Sequence, residues 1–193
     1  MLGLKLPTDP RWINIVEKNI EEILTDHAYC EQKAASNAIT IIVKFPQYSD
    51  VVQAMSELVK EEIEHFQMVH QEILKRGLKL GRERKDEYIH DLLSFIRKGG
   101  DNEQQFVERM LFGAIIEARS CERFRILSEE LSDPNLRVFY RELMESEARH
   151  YTTFLNFAKK YSMKIDVDQR WREFLEFEST LMIKYGKRET IHG

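Results

Sequence analysis

Glu62 and His65 stand three residues apart in "KEEIEHFQMVH", and Glu147 and His150 repeat the pair in "MESEARHYTTF". Carboxylate oxygen and imidazole nitrogen are ligands for iron, manganese and zinc. Three residues of α-helix turn about 300° and rise about 4.5 Å, so both side chains of such a pair project on one side toward one point. The chemistry on offer is metal ligation.

Spacing alone does not select these pairs. Glu87/His90 and Glu189/His192 share it. Glu87 opens a short helix after a charged loop, where an acid suits the helix dipole. Glu189/His192 falls in the C-terminal segment, where a loosely held backbone is expected. Glu62/His65 and Glu147/His150 differ because each sits midway along a long apolar stripe, and charged groups facing a core are costly unless paired or metal-bound.

Two further carboxylates complete the pattern. Glu31 in "HAYCEQKAA" and Glu117 in "GAIIEARSCERF" lie on inward stripes of the preceding helices. Glu62 follows Glu31 by 31 residues and Glu147 follows Glu117 by 30; the halves are offset by 86 residues at the first Glu and 85 at the second. A helix hairpin has been duplicated, each copy giving Glu and then Glu-x-x-His. Four carboxylates and two imidazoles from four helices form the ligand set of a di-iron or di-manganese centre. The absence of thiolates from that set speaks against structural zinc. Ala34, Ala114 and Ala118 fall near the ligand level, where small residues let helices approach. His27, one turn before Glu31, reads as a support or core histidine. Cys121, one turn after Glu117, reads as lining the metal pocket or as a small buried hydrophobe. Glu122 is rotated off the stripe, and Asp26 and Glu145 read as outer carboxylates.

The elements that must position these groups are helical throughout. Periodicity predicts long helices over about 10–44 (with one break allowed), 50–76, 102–131 and 134–161. Shorter ones are expected over about 87–98 and 168–185. Thr8-Asp9-Pro10, Ser49-Asp50, Asp101-Asn102 and Ser132-Asp133-Pro134 supply start signals; Pro46, Gly77 and Gly99-Gly100 supply stops. The expected architecture is all-α: four long helices in two hairpins, a short helix between the hairpins and an extra C-terminal helix. With 193 residues and no evident linker, one domain over 1–193 is expected.

Composition removes several function classes. Two cysteines without a CxxC pair exclude a disulfide framework, a thiolate zinc site and an iron–sulfur cluster. No apolar run approaches the ~20 residues of a membrane span, and the first residues lack a signal-peptide pattern, so a cytoplasmic protein is expected. A net charge of −4 gives no bulk drive toward nucleic acid, leaving the local basic run "KRGLKLGRERK" (Lys75 to Lys85) as the densest cationic patch.

The stretches "LTDHAYCEQKAA", "GAIIEARSCERF" and "ESEARHYTTF" resemble the MiaE family of tRNA hydroxylases, a similarity running from "PTDPRW" to the final "IHG". The resemblance implies a ferritin-like four-helix bundle holding a non-haem di-iron centre. It also implies hydroxylation of the isopentenyl group of 2-methylthio-isopentenyl-adenosine next to the anticodon. Residue by residue it makes Glu31, Glu62, His65, Glu117, Glu147 and His150 the iron ligands, with dioxygen as co-substrate. The cycle needs two external electrons, and the chain has no dinucleotide fingerprint or cluster-binding cysteines, so a reductase or ferredoxin partner is expected. The anticodon loop of tRNA would be held by phosphate contacts and stacking. Candidates for the phosphates are Lys79, Arg82, Arg84 and Lys85, then Arg97, Lys98, Lys184, Lys187 and Arg188. Phe106, Met110, Phe112 and Tyr151 are candidates for a channel taking the prenyl group. Two other activities use the same ligands: a ferroxidase or iron-handling protein, and a peroxide-metabolising di-metal enzyme. The inserted helix, basic loop and extra C-terminal helix argue against a ferritin cage; the sequence leaves the oligomeric state open.

Overall fold

The computed structural model describes residues 2–192, so Met1 and Gly193, the ends of the expected domain, lie outside the described residues. Among the described residues all regular structure is helical: α1 (Trp12–Lys18), α2 (Ile20–Lys44), α3 (Ser49–Lys75), α4 (Glu87–Phe95), α5 (Asn102–Glu130), α6 (Pro134–Lys160) and α7 (Val167–Tyr185). None of them is long and apolar enough to cross a membrane.

The chain divides into two compact units. One comprises residues 18–85 and 189–191 and is built on the α2/α3 hairpin. Pro46 lies in the turn between the two helices, and the hairpin closes on Ile23, Leu24, Ala28, Ala35, Ala38 and Ile41 of α2 and Val51, Met55, Leu58, Val69 and Ile73 of α3. α3 ends in a Schellman turn. Gly77 takes φ of +69°, its N–H bonds the Leu74 carbonyl at 2.9 Å, and the Leu78 N–H reaches back to Ile73 at 3.1 Å.

The other unit comprises residues up to Glu17, 86–188 and His192. Its core is the α5/α6 hairpin. Asp101 and Gln104 form a reciprocal capping box at the start of α5, and Asp133 caps α6 ahead of Pro134. α5 is buried on nearly every face. Its inner side carries Met110, Ala114, Glu117 and Cys121, while its opposite side buries Arg119, Glu122 and Arg123. α5 and α6 come close at Gly113, where a Cβ would meet the Phe154 ring at 2.8 Å. Gly113 is one turn before Glu117 and Phe154 one turn after His150, so this contact sets the helix separation beside the ligand positions. Gly113→Ala is expected to cost about 1–3 kcal/mol by overpacking, read as a lowered melting temperature.

The first predicted helix divides at Asn19, whose φ of −134° and ψ of 41° leave the helical region. The break follows the packing: Trp12 and Val16 are buried in α1, whereas the buried stripe of α2 begins at Ile23. α4 stops at Phe95 because side chains seize its end. Arg170 donates to the Phe95 carbonyl at 3.0 Å, and Glu108 accepts the Arg97 N–H at 3.1 Å.

Candidate metal centre

In the α2/α3 hairpin, Glu31, Glu62 and His65 are at most 8% exposed. Each offers a ligand atom within 4.8 Å of the other two. His65 Nδ1 lies 3.4 Å from Glu62 Oε2 and 3.9 Å from Glu31 Oε2. One turn of helix brings the histidine beside its glutamate, and the antiparallel partner supplies the second carboxylate. His27 Nε2 stands 2.5 Å from Glu31 Oε1 and fixes that carboxylate from its own helix. Metal-binding groups held in this way by an outer hydrogen bond keep their orientation.

The α5/α6 hairpin repeats the arrangement. Glu117, Glu147 and His150 are at most 4% exposed, and their ligand atoms again lie within 4.8 Å of one another. His150 Nδ1 is 4.0 Å from Glu147 Oε1. The Cys121 thiol gives its hydrogen bond to the Met144 carbonyl at 3.5 Å. Burial, and then the Glu147 charge, push it up to about 11, so in the metal-free protein it is a neutral thiol.

This donor set suits hard or borderline cations. Each triad gathers two carboxylates and one imidazole away from solvent, where negative charge has to be balanced. Ala114 and Ala118 are buried beside the second triad, whereas Ala34 is only half-buried and the buried alanines of α2 are Ala28, Ala35 and Ala38.

The remaining Glu-x-x-His pairs do other work. His90 is exposed beside Asp91, and Glu87 pairs with Arg188 at 2.7 Å. His192, expected on a loosely held segment, is 4% exposed. It meets Ser120 Oγ at 3.0 Å and stacks at 5.9 Å on the Tyr88 ring. Of the basic candidates, Lys79, Arg82 and Lys85 project from the 78–86 segment, and Arg84 donates to the Glu189 carbonyl. Arg97 pairs with Glu173 at 2.8 Å, Lys184 with Asp91 at 2.9 Å, and Lys187 with Asp9 at 3.4 Å; Lys98 is exposed. Phe106, Met110 and Phe112 are buried, Phe106 edge-on to Tyr161 at 5.5 Å. Tyr151 is half-buried, tilted against Trp171 at 5.9 Å, and its hydroxyl donates to the Leu2 carbonyl at 3.5 Å.

Sequence reasoning missed the buried arginines behind α5. Arg119 Nε donates to Glu178 at 2.7 Å, Nη1 to Glu122 at 2.9 Å and Nη2 to the Leu6 carbonyl at 2.9 Å. Glu122 also accepts from the Thr8 N–H at 3.0 Å and hydroxyl at 2.6 Å. Burial alone would raise the Glu122 carboxyl; Arg119 and the two Thr8 bonds outweigh it and hold the group below its usual range. Arg123 stacks on Trp12 at 3.9 Å and donates to the Gly186 carbonyl at 2.9 Å. The available signal was the spacing of Arg119, Glu122 and Arg123 opposite Glu117, a second polar stripe on a helix already carrying one.

Fold and site together define a class: an all-α chain of ferritin-like fold with duplicated, buried Glu/His clusters of metal-ligating type. Among solved structures, it superimposes on a protein with aldehyde deformylating oxygenase activity from Synechococcus. The TM-score is 0.91 at 31% identity, covering 98% of this chain and 95% of that one. Among curated proteins, it is 37% identical over 164 residues to a tRNA 2-(methylsulfanyl)-N(6)-isopentenyladenosine(37) hydroxylase of Pseudomonas putida, covering 85% of this chain and 78% of the relative. A Salmonella typhimurium protein of the same name is 28% identical, with coverage of 98% and 87%. The family described as tRNA-(MS[2]IO[6]A)-hydroxylase (MiaE) matches residues 2–193, and the chain belongs to that family.

Proposed function

We propose that this protein is a non-haem di-iron monooxygenase that hydroxylates the isopentenyl side chain of 2-methylthio-isopentenyl-adenosine next to the anticodon of tRNA. Membership of the MiaE family over residues 2–193 carries this reading. The geometry supports it, because each hairpin buries one Glu and one Glu-x-x-His with ligand atoms within 4.8 Å.

In this reading Glu31, Glu62, His65, Glu117, Glu147 and His150 hold two iron ions, three ligands from each hairpin. When bound, the iron pair supplies the activation of dioxygen. The chain's own residues do the rest. His27 holds Glu31 in its ligating orientation through the 2.5 Å contact. Cys121 directs its thiol to the Met144 carbonyl, which leaves the ligand set all oxygen and nitrogen. Apolar neighbours such as Ala114 and Ala118 keep water from the reacting carbon. One oxygen atom enters the C–H bond and the other leaves as water, which requires two electrons; these come from a reductase or ferredoxin, since the chain carries no electron-transfer cofactor motif of its own. Lys79, Arg82, Arg84, Lys85, Lys187 and Arg188 contribute phosphate contacts to the anticodon loop, and Phe106 and Tyr151 border the prenyl path. Such a tRNA-modifying enzyme works in the cytoplasm.

The test is nucleoside analysis of tRNA from cells with and without the gene. Deletion is expected to abolish the hydroxylated prenyl-adenosine while the unhydroxylated form accumulates, and an unchanged ratio would refute the reading. The likeness to the aldehyde deformylating oxygenase favours a second reading, an oxygenase acting on an aldehyde. Aldehyde consumption by the iron-loaded protein, with no change in tRNA, would select it.

A further inference from the structure

The segment after α3 has no regular secondary structure, yet it is tied down at defined points. Gly81 N–H donates to Thr25 Oγ1 at 3.3 Å, and the Tyr29 hydroxyl donates to the Gly81 carbonyl at 3.0 Å. Lys33 pairs with Glu83 at 3.0 Å. Thr25, Tyr29 and Lys33 follow one another at four-residue steps, so they form one stripe along α2. That stripe is turned about 200° from the His27/Glu31 stripe on the same helix. Both polar groups of the Gly81 peptide are therefore gripped by consecutive turns of one helix. The approach is close: a Cβ at position 81 would sit 3.1 Å from Thr25 Cγ2, so the Thr25 side chain would have to give by a few tenths of an ångström.

This clamp sorts the charges of the segment. Glu83 is drawn to α2, and the Arg84 guanidinium donates to the Glu189 carbonyl. Lys75 and Arg76 are both taken by Glu72, at 2.6 and 2.5 Å. Lys79, Arg82 and Lys85 are left exposed, at three-residue intervals on either side of the clamped glycine. A run of exposed cations on a tethered segment, in a chain of net charge −4, fits an extended polyanion.

We propose that the Thr25/Tyr29 clamp on Gly81 makes residues 79–85 a preformed phosphate-binding edge for the RNA substrate, with Tyr29 a positioning residue for substrate binding. The inference rests on the tRNA reading above. Phosphate contacts fix the position of a nucleic acid and leave recognition of the reacting base to other groups. Ordering the segment in advance removes the entropy that binding would otherwise lose. The edge therefore acts on substrate affinity, and the chemical step is untouched.

The experiment uses the full-length, iron-loaded protein and an anticodon stem-loop RNA carrying the prenylated adenosine, with binding followed across a salt series. The Lys79→Ala/Arg82→Ala/Lys85→Ala variant is expected to lower the salt slope by about 2, the share of three contacts to single-stranded RNA. Tyr29→Phe combined with Thr25→Val is expected to raise KM about tenfold with kcat and iron content retained. Gly81→Ala is expected to act likewise, and adding Thr25→Ser, which keeps the hydroxyl and removes the crowding methyl, is expected to restore affinity. If the charge variant keeps the parent slope, the edge is not the RNA surface. If the charge variant loses binding but the clamp variants do not, Tyr29 has no positioning role. Parent protein that ignores this RNA at any salt concentration overturns the substrate reading itself, a result distinct from both.

Discussion

Glu117→Ala is expected to lose iron and hydroxylation together, each by at least about 100-fold. Altering a group that merely supports a metal ligand typically costs 10- to 100-fold, and here the ligand itself is deleted. His150→Ala should behave in the same way. His27→Ala should fall short of both, because His27 reaches the site through its 2.5 Å contact with Glu31. The metal-free proteins supply the control that separates ligation from folding. Glu117 and Glu147 place oxygen atoms within 4.8 Å of each other in a buried site, so without metal ionising both is opposed by their mutual repulsion. Removing one relieves that repulsion and offsets the cavity left behind. The metal-free Glu117→Ala protein should accordingly melt within about 4 °C of the metal-free parent. Metal analysis, single-turnover hydroxylation and thermal melts of both forms check the prediction. A variant that keeps iron and activity would remove Glu117 from the ligand set.

The ligand positions were legible because they break a pattern. Glu31, Glu62, Glu117 and Glu147 interrupt apolar helical stripes at a spacing that recurs between the two halves of the chain, and each triad gathers within one hairpin. Helix ends were legible for a similar reason: Asp133-Pro134 and Gly77 act through local backbone chemistry that needs no tertiary partner. What escaped was whatever depends on distant partners. The end of α4 at Phe95 is imposed by Arg170 and Glu108, 75 and 13 residues further along the chain. Nothing local explains Gly113; its reason is the Phe154 ring, on another helix. The clamp on Gly81 was hidden because a Thr and a Tyr on a mixed helix face do not announce a partner 56 and 52 residues away.

Removing Arg119 should be among the most destabilising single changes in the chain. Arg119 is fully buried and satisfies Glu178, Glu122 and the Leu6 carbonyl at once. Arg119→Met keeps much of the volume and leaves two buried carboxyls without their cation. Breaking a buried pair in this way costs about 3–5 kcal/mol, or roughly 6–20 °C in melting temperature for a chain of this size. The pH dependence carries a sign. Burial already raises the Glu178 carboxyl against the pull of Arg119, and Glu122 is held down chiefly by Arg119 against the same burial. Without Arg119 burial prevails at Glu178, and Glu122 loses the main charge holding it down. A carboxyl raised above its unfolded value keeps its proton in the folded state over a range where the unfolded chain has lost it. Stability then falls as pH rises through that range. The deficit of Arg119→Met relative to the parent should therefore be smaller near pH 5 than near pH 8, starting from the ordinary Glu range. Adding Glu178→Gln should recover part of the loss at the higher pH, because it removes one of the stranded charges. A deficit below about 1 kcal/mol, or one that grows on acidification, would mean that the Arg119 cluster is not what fastens the N-terminal segment and α7 to the back of α5.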